Sequence, residues 1–277
     1  MSHDPLTDQV ILISGAAGGI GSATARRLVQ RGAKVVLGDL HAPALDELAT
    51  ELGANAHPVV LDVTDPESCA AAVQFAVTQH GRLDAVWANA GISAFGPLEL
   101  VEQDTWRRVI AVNLVGVYNL VQAGLPAVID SQGYVAMTAS WASFAHSPGH
   151  SAYAAAKAGV EALANSLRSE LAHQGVRVGV FHPGWIDTPM VTNKIDTQPA
   201  FNVMLNSLPK PLRKVTAVED LAEILADALA TRPDKVVYPR VGWVLHALRP
   251  LLATPLLASR GRKVAPLVRR LYAEQIE

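Results

Sequence analysis

Tyr153 and Lys157 stand four residues apart in Tyr153-Ala154-Ala155-Ala156-Lys157, and Ser140 lies thirteen residues before the tyrosine. A spacing of four puts two side chains on one helix face, one turn apart. A free phenol titrates near ~10, too high for efficient proton exchange at neutral pH. A neighbouring ammonium favours the phenolate and lowers that value. Lys157 is therefore placed to act on Tyr153 and on a bound ribose together. Ser140 follows an apolar run, where a hydroxyl can donate to a developing oxyanion. Each feature has a plain structural alternative, a helix-face pair and a strand-end cap.

A second cluster lies near the start of the chain. Ser14-Gly15-Ala16-Ala17-Gly18-Gly19-Ile20-Gly21 joins a β-branched run to a helical pattern. Gly15 allows a sharp turn. Gly19 and Gly21 remove side chains where backbone meets a pyrophosphate and helix meets sheet. The helix N-terminus adds free N–H groups and a positive dipole end. Asp39 ends the next apolar run, eighteen residues after Gly21. A carboxylate there accepts hydrogen bonds from the adenosine ribose and repels a 2′-phosphate. Leu40 and His41 bring no cation, so NAD is expected over NADP. Asp62-Val63 can meet adenine, and Asn89-Ala90-Gly91 is small enough for close approach.

These residues need a scaffold that gathers them. Strands are predicted at Val10–Ser14, Lys34–Asp39, Pro58–Asp62, Ala85–Ala88, Tyr134–Met137 and Val176–Phe181. Helices are predicted at Ile20–Arg31, Ala44–Leu52, Pro66–Gln79, Gln103–Asn113, Gly116–Val128 and Tyr153–His173. Apolar strands alternating with helices argue for an α/β fold, a doubly wound parallel sheet covered on both faces. Ligands bind such sheets beyond the carboxyl ends of the strands, where every residue named above falls. One domain is expected over 1–239, with a polar, Pro-containing substrate loop at 187–211. Residues 240–277 form a C-terminal extension.

The combination resembles the short-chain dehydrogenase/reductase (SDR) family from about Gln9 to Tyr238. The resemblance rests on the glycine loop, Asp39, Asp62-Val63, Asn89-Ala90-Gly91, Asn113, Ser140, Tyr153, Lys157 and Pro183-Gly184. It implies a Rossmann-like sheet of about seven strands and a secondary alcohol/ketone reaction with Tyr153 as acid/base. Lys157 would tune Tyr153 and hold the nicotinamide ribose, and Ser140 would polarise the carbonyl. Asn113, otherwise a helix-kink or packing residue, would support a proton-relaying water. Cofactor contacts would come from Gly15, Ala17, Gly19, Ile20, Gly21, Asp39, Leu40, Asp62, Val63, Asn89, Ala90 and Gly91. Pro183, Gly184, the Ile186 backbone and the Thr188 hydroxyl would join them at the nicotinamide end. A homo-oligomer, a tetramer by family analogy, is implied. Ser14 replaces the commoner Thr, and Thr138-Ala139 stands before Ser140 in place of a serine pair. Two rivals are an extended-type sugar-nucleotide epimerase or dehydratase and a non-catalytic NAD(H)-sensing regulator. The three-one glycine spacing opposes the first, and the intact Ser, Tyr and Lys oppose the second.

The whole chain has 277 residues, half of them apolar, with a net charge of -2. That balance fits a soluble enzyme and gives no reason to expect nucleic acid. The single cysteine, Cys69, lies in a helical pattern and reads as a buried bystander, consistent with a reducing cytoplasm. No metal site is read. The N-terminus lacks a signal-peptide pattern, and no uninterrupted apolar run suggests a membrane span. Substrate-facing candidates are Ile92, Phe95, Trp141, Phe144, Trp185, Met190, Phe201 and Met204, which suit an apolar or aromatic substrate. His146 and His150 are given no role. The extension, broken by Pro250 and Pro255, holds seven Arg/Lys against two Asp/Glu. It is expected to close the substrate pocket. The rival is a peripheral membrane contact through Arg260, Arg262, Lys263, Arg269 and Arg270.

Overall fold

Val10–Ser14 (β1) is buried at every position, because helices cover both faces of the strand. Alternation along the strand separates two cores. Leu12 points into a cluster with Val86, Leu120 and Val160, whereas Ile11 and Ile13 join Leu28, Trp87 and Leu225 on the other face. The structure is a computed structural model and describes residues 4–252, 254 and 259–276. The first three residues, Pro255 and the Arg260 side chain lie outside the described residues.

The chain runs β1, α1 (Gly19–Gln30), β2 (Lys34–Asp39), α2 (Ala42–Leu52), β3 (Ala56–Val60), α3 (Pro66–His80) and β4 (Ala85–Ala88). It continues through α4 (Gln103–Ile110), α5 (Gly116–Asp130), β5 (Tyr134–Thr138), α6 (Ser151–Leu171) and β6 (Arg177–Pro183). Then come α7 (Pro189–Thr197), α8 (Pro199–Ser207), α9 (Val218–Thr231) and β7 (Lys235–Tyr238). The seven strands form one parallel sheet in the order β3-β2-β1-β4-β5-β6-β7. The winding reverses between β1 and β4, and that switch point opens a ligand crevice.

Four sequence expectations are corrected. Strand β3 ends at Val60, so Asp62 and Val63 follow it rather than end it. Asp62 Oδ1 accepts from the Thr64 amide at 2.8 Å and the Thr64 hydroxyl at 2.7 Å, a turn incompatible with the ladder. Pro58 is tolerated because β3 is an edge strand. The two helices predicted at Gln103–Asn113 and Gly116–Val128 are one rod through a π-helical turn at Ala111–Val115. The substrate loop 187–211 is largely helical. Pro189 and Pro199 open α7 and α8, where a missing N–H does no harm. Helix α6 starts at Ser151, two residues before the predicted start.

The extension folds as α10 (Val241–Ala247), α11 (Arg249–Leu252) and α12 (Ser259–Ile276). Val264, Val268, Leu271 and Tyr272 of α12 pack with Phe201, Met204 and Leu205 of α8. Among the described residues, one helix, Gln103–Asp130, is long and apolar enough to cross a membrane, with a mean hydropathy of 1.5. Its Val117, Leu120, Val121 and Val128 are buried in the core against the sheet, as in a covering helix.

Candidate active site

The ends of β1, β4, β5 and β6 open into one pocket of about 1240 Å³. At its first end, Gly15 turns at φ +69°, and a methyl there would stand 2.8 Å from the Ala90 Cα. A methyl on Gly21 would collide with the Gly15 carbonyl, so bare backbone is required at the helix entry. Helix α1 has Gly18 at its N-cap and has neither a side-chain cap nor an acid in its first turn. Its orphan N–H groups and dipole therefore remain for an anion. Asp39 lies beside them and accepts from the Ala17 amide at 3.1 Å. Gly15, Ala17, Gly19, Ile20, Gly21, Asp39, Leu40, Asp62, Val63, Asn89, Ala90 and Gly91 all line the pocket. So do Pro183, Gly184, Ile186 and Thr188, the last against Gly19. This bare-backbone cradle with a carboxylate at one end fits a dinucleotide.

At the other end, Ser140, Tyr153 and Lys157 line the same pocket. Ser140 is held by β5 and by the Ala142 amide, which donates to its hydroxyl at 3.2 Å. Lys157 Nζ donates to the Thr138 carbonyl at 2.7 Å and lies 5.7 Å from the centre of the Tyr153 ring. The expectation that Lys157 lowers the phenol is corrected. Burial raises the Tyr153 phenol above its ordinary value, and hydrogen bonding with Ser140 opposes it only in part. Burial also brings the Lys157 ammonium down to about 8. Two groups withdrawn from water thus each lean toward the uncharged form.

Asn113 is fully buried and stands behind the wall. Its side-chain oxygen accepts from the Ile92 amide and its nitrogen donates to the Ile92 carbonyl, both at 2.8 Å. It fixes the segment after β4, next to Gly91 and Lys157. Among the eight substrate-facing candidates, Ile92, Trp141, Trp185, Met190 and Phe201 line the pocket. Phe95, Phe144 and Met204 do not; they are 4%, 1% and 1% exposed and pack behind the lining. Leu245, Leu252, Ser259, Gly261, Arg262 and Ala265 of the extension also line it. Arg269 pairs with Glu99 and Arg270 with Glu274 on the surface.

Two features escaped the sequence reading. His150 is buried and stacks edge-on with Phe95, Phe201 and Tyr153, at ring separations of 5.0, 5.9 and 6.4 Å. Its spacing of three from Tyr153 was a usable signal, since the two are one turn apart. The second is Glu161, four residues after Lys157 on the same face of α6 and buried. Arg249 and Lys235 approach its carboxylate at 3.1 and 3.3 Å, and His246 and His182 at 3.6 and 3.8 Å. His182 in turn donates through Nδ1 to the Ser140 carbonyl at 3.1 Å. A buried carboxylate thus connects the extension to the serine loop.

Both histidines should make the fold acid-sensitive. Burial, reinforced by Lys194, pushes His150 down to about 3, and burial pushes His182 down to about 4 against its bond to Ser140. Their unfolded values lie near ~6.5. Depressed folded values mean stability is complete above that pH and is lost as pH falls toward 4 and then 3. Urea midpoints should therefore decline steadily between pH 7 and pH 4, less so in His182→Asn. A midpoint constant over this range refutes the assignment.

The comparisons with known proteins agree with this geometry. The short chain dehydrogenase family profile matches residues 9–199. The chain is 36% identical to the 3-oxoacyl-(acyl-carrier-protein) reductase of Thermotoga maritima, over 79% of this chain and 89% of that protein. It is 36% identical to the cis-4-hydroxycyclohexanecarboxylate dehydrogenase of Sinomonas cyclohexanicum, over 80% and 90%. The crystal structure of the 3-ketoacyl-(acyl-carrier-protein) reductase from Brucella melitensis, complexed with NADH, superposes with a TM-score of 0.76 at 27% identity. It covers 84% of this chain and 97% of that one. A matching profile over most of the sheet and a shared architecture lead to one conclusion: this chain belongs to the short-chain dehydrogenase/reductase family, oxidoreductases built on a nicotinamide-binding Rossmann-like fold.

Proposed function

We propose that the protein is an NAD-dependent oxidoreductase that interconverts a secondary alcohol and a ketone on an apolar or aromatic substrate. The observation that carries this reading is the meeting of Ser140, Tyr153 and Lys157 with the glycine loop and Asp39 in one apolar-walled pocket. When bound, the nicotinamide supplies or accepts the hydride. Gly15, Gly19 and the α1 N-terminus would hold its pyrophosphate, and Asp39 its adenosine ribose. Lys157 would reach the other ribose, next to Gly91.

The residues divide the remaining work. Ser140 donates to the carbonyl oxygen and stabilises the charge that develops there. Tyr153, held uncharged by burial, gives its proton to that oxygen in reduction and takes it back in oxidation. Lys157 has its ammonium lowered to about 8, so it can pass a proton to the phenolate left behind. Asn113 keeps the Gly91-Ile92 wall in place. Trp141, Trp185 and Phe201 exclude water around the reacting carbon. The relative acting on a hydroxycyclohexanecarboxylate supports a ring-bearing alcohol as substrate.

A panel of cyclic and aromatic alcohols and ketones, followed by nicotinamide absorbance with both cofactors, tests the reading. NAD(H) should give the higher kcat/KM, because Asp39 meets a 2′-phosphate with like charge and Leu40 brings no cation. Asp39→Ser combined with Leu40→Arg should reverse the preference. Equal turnover of both cofactors by the unmodified enzyme sinks the NAD assignment. No turnover of any panel member with either cofactor sinks the reaction class.

A further inference from the structure

The pocket wall is uneven in charge. Its only acidic residues among those described are Asp39 and Asp62, both at the end assigned to the adenosine. Toward the substrate end the wall is aromatic and aliphatic, yet it includes Lys194 of α7 and Arg262 of α12. A cation in an apolar wall is costly unless something anionic meets it. Among the described residues, Lys194 Nζ donates only to the Met190 carbonyl of its own helix, at 2.9 Å. No carboxylate among the described residues pairs with it, and its partial burial lowers the ammonium to about 8. The same charge helps depress His150, so the two groups share one neighbourhood. His150 belongs to the ring cluster with Phe201, Trp185 and Tyr153. Lys194 therefore lines the pocket within electrostatic reach of the substrate-side aromatics.

We propose, building on the reading of this pocket as an alcohol/ketone site, that Lys194 is its carboxylate-recognition residue and that the substrate is an apolar hydroxy or oxo acid. The ring or chain of such a molecule lies against Trp185 and Phe201, its carbonyl carbon faces Tyr153, and its carboxylate meets the Lys194 ammonium. A bond between two charged groups at a partly buried, apolar-lined site is stronger than a neutral one. An uncharged analogue leaves the cation unanswered, which is a strong basis for discrimination.

The test is equilibrium binding by titration calorimetry, in the presence of oxidised NAD, which cannot reduce a ketone, using 4-oxocyclohexanecarboxylate and its carboxamide. The two differ in charge and scarcely in shape. The unmodified protein should bind the carboxylate on the order of 10–100-fold more tightly, the range of a charge-assisted hydrogen bond. Lys194→Met should bring the ratio close to one, and Lys194→Arg should restore a preference. NADH affinity should stay the same in both. Equal binding of the two ligands, no binding of either, or a ratio unchanged in Lys194→Met overturns the proposal. So does a preference that persists in Lys194→Met and vanishes in Arg262→Met, which would assign it to the extension. A Lys194→Met variant that loses NADH affinity instead places the cation on the cofactor and also overturns it. Because the measurement is binding, a carboxylate preference without turnover would fault the redox reading and leave the Lys194 assignment standing.

Discussion

Tyr153→Phe should reduce turnover by roughly 10³–10⁴-fold or more while NADH still binds. The substitution removes one oxygen and keeps the ring, so the packing of His150 against position 153 survives. In the proposed reaction the phenol exchanges the alcohol proton. The Ser140 hydroxyl accepts from the Ala142 amide and donates to the Pro183 carbonyl at 3.4 Å, and Lys157 donates to the Thr138 carbonyl. NADH binding, followed by fluorescence titration, should change little, because the loop glycines and Asp39 are untouched. Near-normal turnover in the variant removes Tyr153 from the acid/base role. Loss of NADH binding together with turnover points to a collapsed site, and circular dichroism distinguishes that outcome.

Glu161→Ala should produce the largest loss of stability, about 3 kcal/mol. Burial works to raise the Glu161 carboxyl, but His182, Arg249 and Lys235 outweigh it and hold the group below its usual range. Removing the carboxylate leaves cations facing one another around a hole. The Lys235 side chain is 21% exposed and can recruit little water, whereas Arg249 at 45% can turn outward, which keeps the loss moderate. The urea midpoint and the melting temperature report the effect, the latter by roughly 5 °C at this chain length. Glu161→Gln keeps the shape and some hydrogen bonding and should lose less. An unchanged midpoint in Glu161→Ala means the cluster is solvated and contributes nothing. His182 links the cluster to Ser140, so the Ala variant should also lose kcat beyond its loss of folded protein.

The candidate site was legible in the sequence because its parts are local. The glycine loop, Asp39 and the Tyr153–Lys157 turn are each set within a few residues of one strand end or one helix. Backbone geometry over such short spans follows from residue type and spacing. The alternating apolar runs determined the parallel sheet for a similar reason, since a strand covered on both faces must be apolar throughout. Element ends were less legible. Proline marked 187–211 as a loop, yet Pro189 and Pro199 are helix starters, and the burial of Phe201 and Met204 against α12 anchors the second of the two helices.

The pKa order was decided by the tertiary structure. Spacing brings Lys157 to Tyr153, but burial depends on the elements stacked around both, and it reversed the expected direction for the phenol. The same holds for Glu161, whose partners Lys235, His246 and Arg249 lie 74 to 88 residues away in sequence. No local pattern could connect them. By itself, then, the sequence determined which groups stand ready at the strand ends. Folding alone decided which of them water still reaches, and which charge faces the aromatic wall. Solvent access and long-range contacts are properties of packed surfaces, and no short segment carries them.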